Sequence, residues 1–384
     1  MNINIDMDKI KNLGEKLKSV LHKNNEEDTK ENTEEVQEVL SFTYKDEDVK
    51  DIINYISDRI VGQEDVIKTL VSNILYNQLL IDEIMQRETF DVTELDARKV
   101  SILLEGSTGT GKTAIINDIA SMISIPVSIT SVARFFERGY TNVTMNDVLQ
   151  DLLLKAEGDV ALAERGIIVF EEVDKILEDG DYASDGVRGL QEEIISLMDG
   201  ETYEVSIQDG NVVATVPFDT SKLTFIITGN FNKLKNKSMG DTGAPTIGFT
   251  NGITDEIESN FIKNYINNKS TPEFMRKIKV VTSTKKYDVN DYKNILLKSK
   301  ISPLSNFMKT AEKFNYKSIS CDTELVNELA NGAYNMGIGA RGLQMLMSEV
   351  QNKVLYDIMM KEYKDDSIVL TDDLLKPVKK RVRK

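Results

Sequence analysis

The sequence predicts an α/β fold: a parallel β-sheet covered by helices on both faces, followed by a smaller, mainly helical domain. A short apolar run at 100–104 leads through a glycine-rich segment into a helical pattern from residue 112. Further strand candidates follow, most of them separated by helical segments, and this alternation is typical of parallel sheets. They lie at 126–129, 166–170, 223–228 and 278–282. Beyond residue 287, leucines and valines at helical spacing indicate the second domain, and SIVLTDDLL at 367–375 predicts a short terminal strand and turn.

The chain divides into five segments. An amphipathic helix at 1–23 is either a docking element or a frayed tail, and the acidic linker at 24–45 has the composition of a disordered tether. The large domain is expected at 46–286, the small helical domain at 287–372 and a basic tail at 373–384. We interpret the tail as solvated, with contact to an acidic substrate or to nucleic acid as the alternative.

Helical spacing of apolar residues opens the large domain. It predicts a helix from residue 46 that breaks at Gly62, and a second helix that ends near Met85. Residues 86–99 are mostly polar, and we expect them to form a loop before the first strand.

The composition excludes several kinds of protein and of site. With 47 basic and 63 acidic residues, the net charge of −16 argues against non-specific binding of nucleic acid by the whole chain. No apolar run is long enough to span a bilayer and the first residues lack the apolar block of a secretory signal, so we expect a cytoplasmic setting. One cysteine, Cys321, and one histidine, His22, argue against an internal disulfide, a zinc finger and a histidine-based triad.

The glycine-rich segment GSTGTGKT at 106–113, called the P-loop below, fits the pattern G-x-x-x-x-G-K-[ST]. Its glycines allow a tight turn in which successive N–H groups face one point, and the following helix directs its N-terminus there. This predicts a nucleotide site, with Lys112 on the outer phosphates and the Thr113 hydroxyl on Mg²⁺. A glycine-rich turn that matches by accident is the alternative. The residues predicted to bind nucleotide are Gly106, Ser107, Thr108, Gly109, Thr110, Gly111, Lys112 and Thr113.

Two acids, Glu171 and Glu172, follow the strand candidate GIIVF directly. Downstream of a phosphate-binding loop, one such carboxylate can hold hydrated Mg²⁺ while the next polarises the attacking water. A solvated charge pair at a strand end is the alternative interpretation.

Eight motifs occur in one order along the chain, and their order is more specific than any one of them. They are IVGQEDV, GSTGTGKT, RFFERGYTNVTMNDVLQDLL, GIIVFEEVDKI, FDTSKLTFIITGNF, IGF, TPEF and GIGARGLQ. In this ordered set the chain resembles the ClpX/HslU family of AAA+ unfoldases, between residues 46 and 370. The resemblance implies a P-loop AAA+ large domain and a small helical domain with a sensor 2 residue. No counterpart of the amino-terminal zinc-binding domain of ClpX is expected.

The resemblance also implies roles for residues around the nucleotide. Ile60 and Val61 would pack on the adenine. Asn230 would be sensor 1, with Thr228 as the alternative. Arg341 in GARGL would be the sensor 2 arginine, a planar fork that is always charged.

Two departures from the family pattern concern hydrolysis. Glu171 takes the position of the Walker B aspartate and is one methylene longer, while Glu172 takes that of the catalytic glutamate. The pattern P-E-F-x-G-R reads TPEFMRK here, so Lys277 falls on the arginine-finger position and Arg276 lies one residue earlier. Lysine is a point charge rather than a planar fork, so we expect a poorer finger.

Two further matches concern macromolecular partners. Gly139 and Tyr140 match the pore loop of the family, where an aromatic grips the substrate; a buried loop tyrosine is the alternative. Ile247, Gly248 and Phe249 match the tripeptide by which ClpX docks on the peptidase ClpP.

The resemblance therefore implies a homo-oligomeric ring, hexameric in arrangement, that uses ATP and Mg²⁺ to thread unfolded or tagged proteins through a central pore, to a ClpP-type peptidase. A nucleic-acid motor or loader on the same ATPase core is one alternative, which the net acidity opposes. A nucleotide-binding regulatory ATPase with weak turnover is another, which the departures at Glu171, Arg276 and Lys277 leave open.

Overall fold

The computed structural model describes residues 46–87, 92–136, 143–175, 185–209, 212–231, 272–363 and 365–375. These residues form two compact units. The first unit contains Leu70–Glu105 and Asn117–Ser283, and the second contains Glu47–Thr69, Gly106–Ile116 and the chain from Thr284. The P-loop therefore belongs to the second unit.

Helices alternate with strands in the first three quarters of the described chain. They are α1 (Asp46–Arg59), α2 (Glu64–Met85), α3 (Val92–Arg98), α4 (Lys112–Met122), α5 (Met145–Lys155), α6 (Val160–Glu164), α7 (Asp185–Asp199) and α8 (Pro272–Lys277). The first two confirm the helices predicted on either side of Gly62.

The helix α3 shows that the loop predicted at 86–99 was wrong. Leu95 is fully buried in a cluster with Leu80, Ile81 and Ile84 of α2. Arg98 of α3 also donates to the Glu83 carboxylate of α2, at 3.0 and 2.8 Å. One buried residue carries no periodicity that a sequence could reveal.

The sheet of the first unit confirms the predicted α/β class. Its strands, together with a separate hairpin, are β1 (Ile102–Glu105), β2 (Val127–Ser131), β3 (Ile167–Glu171), β4 (Thr202–Asp209), β5 (Val212–Asp219), β6 (Thr224–Gly229) and β7 (Val280–Ser283). Five of them pair in the order β2-β3-β6-β1-β7, and every pairing is parallel. All residues of β1 and β6 are buried, as expected for strands covered on both faces. Because the strands are parallel, β1, β3 and β6 end at the same edge.

The hairpin of β4 and β5 is antiparallel and was not among the predicted strands. Val205 faces Val216 across it, and both are buried in the core of the first unit. Exposed and buried residues alternate from Thr215 to Phe218, which shows that one face of this part of β5 packs inward.

A buried ion pair fixes the segment that precedes β3. The Arg165 guanidinium donates to the carboxylate of Asp82 at 2.6 Å and to the carbonyl of Gln78 at 3.1 Å. The two charged side chains are only 3% and 7% exposed. Removal of one partner would leave a buried charge uncompensated, at a cost of about 3–5 kcal/mol.

A buried lysine lies directly before β1. Lys99 donates to the carbonyl of Ser221, and its ammonium lies 5.6 Å from the ring centre of Phe225. Burial lowers the pKa of Lys99 to about 7.

The second unit is mainly helical in its C-terminal part. It contains α9 (Val289–Lys298), α10 (Pro303–Glu312), α11 (Thr323–Met336), α12 (Ala340–Met359) and the parallel strands β8 (Ser318–Cys321) and β9 (Ser367–Leu370). Asp288 and Asp291 form a capping box at the start of α9, and Gly337 ends α11 in the left-handed conformation. The strand predicted near residue 368 is confirmed by β9, whereas β8 was not predicted.

Within the described ranges, no helix combines the length and the apolar character needed to cross a bilayer.

Candidate functional site

The P-loop adopts a backbone conformation that requires its glycines. Gly109 and Gly111 have φ angles of +80° and +98°. A Cβ on Gly106 would lie 1.8 Å from the Thr284 hydroxyl oxygen, and one on Gly109 would lie 2.3 Å from the Ile338 carbonyl oxygen. Glycine at these positions is therefore needed both for conformation and for close approach.

The helix α4 starts inside the motif, at Lys112. The Lys112 ammonium folds back over the loop and donates to the carbonyls of Gly106 at 2.6 Å and Ser107 at 3.0 Å. Thr113, in the first turn, is exposed. A lysine above a glycine turn and a hydroxyl at a helix N-terminus are the groups that hold nucleotide phosphates and their metal ion.

Ile60 and Val61 lie beside the P-loop. The Cγ2 of Ile60 is 3.0 Å from the position that a Cβ on Gly111 would take. Ile60 is buried, and Val61 packs partly buried against the apolar core of the second unit. The two residues to which the family resemblance gives contact with adenine thus lie beside the P-loop.

The start of α12 is also packed on the P-loop. The N–H of Ala340 donates to the Gly109 carbonyl at 2.9 Å, and a Cβ on Gly339 would lie 2.5 Å from that same oxygen. Backbone therefore meets backbone with no side chain between them. Arg341, the next residue of α12, is exposed.

The two acids at the end of β3 have different settings. Glu171 is the last residue of the strand and is half-buried. Glu172 has a φ of +63°, which is unusual for a residue with a side chain. Its carboxylate accepts hydrogen bonds from the Ser131 hydroxyl and the Lys175 ammonium, each at 2.7 Å. These contacts orient the carboxylate in the first unit.

The end of β6 lies next to a third acid, Asp174. Burial raises the pKa of this carboxyl, while the backbone N–H groups of Asn230 and Phe231 lower it. The amide oxygen of Asn230 is buried and has no hydrogen-bond partner among the described residues. Thr228 is fully enclosed in the strand, and its carbonyl accepts from the N–H of Val173 at 3.0 Å. Of the two sensor 1 candidates, Asn230 thus has the side chain with an unused acceptor.

Arg276 and Lys277 have different surroundings on α8. Lys277 forms ion pairs with Asp96, at 3.0 Å, and with Asp199. Burial alone would lower the pKa of Lys277, but the two carboxylates outweigh it and the pKa is raised. Arg276 is exposed, and no described residue forms an ion pair with it.

Several predicted residues lie outside the described ranges: Gly139, Tyr140, Ile247, Gly248 and Phe249. The N-terminal helix, the acidic linker and most of the basic tail lie outside them as well.

Comparison with known proteins agrees with the order of the motifs. The signature of the AAA domain (Cdc48 subfamily) matches residues 97–281. The ATP-dependent Clp protease ATP-binding subunit ClpX of Bacteroides fragilis is 26% identical over 334 residues, which cover 83% of this chain and 79% of that protein. Subunits of the same name from Porphyromonas gingivalis and Borrelia duttonii are each 25% identical over 80% and 85% of this chain, and over 76% and 78% of their own lengths.

Proposed function

We propose that this chain is a ClpX-like AAA+ protein, a ring-forming ATPase that couples ATP hydrolysis to the unfolding and translocation of polypeptides. The conformation of the P-loop carries the proposal. Its left-handed glycines, the ammonium of Lys112 above the loop and the start of α4 at the same residue make a site suited to nucleotide phosphates.

The residues present fit ATP with Mg²⁺. We assign Thr113 and Glu171 as the ligands of Mg²⁺, which neutralises phosphate charge when it is bound. Glu172 acts as the base that polarises the attacking water, and Asn230 helps to position that water. Ile60 and Val61 contact the adenine, and Arg341 contacts phosphate oxygens through its planar fork.

Hydrolysis in a ring draws on a cation from the neighbouring subunit, since head-to-tail interfaces place the nucleotide between subunits. We assign this role to Arg276. The ion pairs of Lys277 with Asp96 and Asp199 support the assignment, because a lysine that already has two carboxylate partners must lose both to reach a phosphate.

The macromolecular contacts follow from the resemblance. We propose that Gly139 and Tyr140 contact the substrate in a hexameric ring, and that Ile247, Gly248 and Phe249 dock on a ClpP-type peptidase. Unfolded or tagged proteins are the proposed substrates, and a cytoplasmic setting stays a prediction.

A regulatory ATPase with slow turnover is a second candidate. One observation favours it: Lys277, which falls on the arginine-finger position, forms ion pairs with Asp96 and Asp199 of its own chain. In that case nucleotide would bind and change the state of the protein without rapid hydrolysis.

Steady-state ATPase activity of the full chain, alone, with an unfolded protein and with DNA, tests the proposal. We expect turnover that an unfolded protein stimulates, and loss of both nucleotide binding and turnover in Lys112→Ala. Binding without turnover would support the regulatory candidate, and stimulation by DNA alone would support a nucleic-acid motor. Unchanged nucleotide affinity in Lys112→Ala would refute the P-loop assignment.

A further inference from the structure

Two hydroxyl side chains from the segment that leads into α9 contact the P-loop at one residue, Thr110. The Tyr287 hydroxyl donates to the Thr110 carbonyl at 3.0 Å. The hydroxyl oxygens of Thr284 and Thr110 are 2.7 Å apart. All three residues belong to the second unit, and all three are buried.

The direction of each hydrogen bond follows from the number of protons available. The Thr110 hydroxyl donates its one proton to the Ser107 carbonyl at 2.8 Å, which closes the turn of the P-loop. The Thr284 hydroxyl must therefore donate to the Thr110 oxygen, because a hydroxyl has a single proton to donate. The result is a chain of donors from Thr284 through Thr110 to Ser107.

The same hydroxyl of Thr284 also fills the space at the first glycine of the loop. It lies where a Cβ on Gly106 would be, at 1.8 Å. Both ends of the glycine turn, Gly106 and Thr110, are thus in contact with this one side chain.

Tyr287 is itself held in place. Its ring packs edge-on against that of Tyr292, with centroids 5.7 Å apart, and lies 3.6 Å from the position of a Cβ on Gly62. The Gln63 amide both accepts from the backbone N–H of Lys285 and donates to its carbonyl, at 2.9 and 2.8 Å, which fixes the segment before Tyr287. Burial raises the pKa of Tyr287 to about 12, so the hydroxyl keeps its proton in any neutral buffer.

We propose that Tyr287 and Thr284 are positioning residues that hold the P-loop in its nucleotide-binding conformation and so set the affinity for nucleotide. The inference rests on the proposed function of the P-loop. A glycine-rich loop without such contacts has access to many backbone conformations, because glycine tolerates both signs of φ. The apparent affinity for nucleotide is then lower, in proportion to the fraction of molecules that have the binding conformation.

Titration of the full chain with a fluorescent ADP, with Mg²⁺ present, tests this inference. Tyr287→Phe removes only the hydroxyl and keeps the ring packing. We expect its Kd for ADP to rise about fivefold, the effect of one hydrogen bond of about 1 kcal/mol. Thr284→Val keeps the shape and should weaken binding similarly, which gives an independent variant. In ATPase assays KM should rise while kcat at saturating ATP changes little, since saturating nucleotide selects the binding conformation.

Tyr292→Phe is the matched control, because Tyr292 is buried beside Tyr287 and no described P-loop residue forms a hydrogen bond with it. Its affinity should equal that of the wild type. A lower melting temperature of Tyr287→Phe and Thr284→Val with unchanged Kd would mean a purely structural role and would overturn the inference, as would equal weakening in Tyr292→Phe. Lys112→Ala distinguishes failure of the positioning role from failure of the P-loop assignment. If Lys112→Ala abolishes binding while Tyr287→Phe and Thr284→Val bind normally, only the positioning role fails. If it binds like the wild type, the P-loop assignment fails as well.

Discussion

Arg276 and Lys277 are neighbours on α8, yet we expect opposite consequences when each is changed to alanine. Lys277→Ala should lower stability and leave turnover nearly intact. The side chains of Asp96 and Asp199 are 41% and 47% exposed and that of Lys277 is 20% exposed, so each ion pair is close to a surface pair. Surface pairs contribute about 0.2–1 kcal/mol each, so the loss of both should lower the free energy of unfolding by about 0.4–2 kcal/mol.

Arg276→Ala should have the reverse effect. An exposed side chain to which no described residue is ion-paired contributes little to stability, within about 0.5 kcal/mol. An arginine that stabilises transferred phosphate from a neighbouring subunit contributes about 10³-fold or more to kcat. We therefore expect kcat to fall by that order while the affinity for ATP and the free energy of unfolding stay unchanged.

The assay pairs ATP turnover at saturating ATP with denaturant unfolding of the same two variants, after sizing has shown that the ring still assembles. Loss of turnover in Lys277→Ala with full turnover in Arg276→Ala would refute the reasoning, since Lys277 would then leave its carboxylates in the assembled ring. Full turnover in both would remove α8 from catalysis.

Four further outcomes are expected. Glu172→Gln should bind ATP normally but release phosphate at least about a hundredfold more slowly, because an amide cannot act as a base; normal turnover would move the role to another acid. Tyr140→Ala should keep ATPase activity and lose translocation of a fluorescent substrate, whereas loss of both would indicate a structural tyrosine. Phe249→Ala should keep ATPase activity and lose binding of a ClpP-type peptidase in a pull-down, by about 2 kcal/mol or more per contact; retained binding with a lower melting temperature would contradict docking. For Lys99, the folded pKa of about 7 lies below the ordinary 10.5. Between these values the unfolded chain binds more protons, so the contribution of Lys99 to stability rises with pH, by at most about 1.4 kcal/mol per unit. Unfolding of Lys99→Met at pH 7 and pH 9 should lack this rise, and an identical slope in variant and wild type would show that Lys99 titrates normally.

The sheet was largely predictable from the sequence, and the reason is burial. The strands β1, β3 and β6 are buried on both faces, so their sequences, ILLE, IIVFE and TFIITG, are mostly apolar. The strand β8 has one buried residue, Ile319, and its pairing with β9 depends on a partner almost fifty residues away. No local pattern encodes such a pairing.

The candidate site was predictable only where its functional residues are neighbours in the sequence. The P-loop and the two acids of β3 are short motifs with a fixed order of residue types. Ser131, which holds Glu172, ends a strand that happens to neighbour β3. Tyr287 and Thr284 act on a loop more than 170 positions earlier, and a hydroxyl in a polar segment has no signature that distinguishes it from its neighbours.

The position of β1 in the sheet has a consequence for the order in which the protein can form during synthesis. Both neighbours of β1, the strands β6 and β7, begin more than a hundred residues later, at Thr224 and Val280. At about 5–20 residues per second, a ribosome needs several seconds to tens of seconds to supply them. During that interval the apolar strand ILLE has two unpaired edges, because none of the described segments that precede it belongs to the sheet. A nascent chain that stalls before residue 224 is therefore expected to expose both edges of this strand, where other unfinished chains can pair with it.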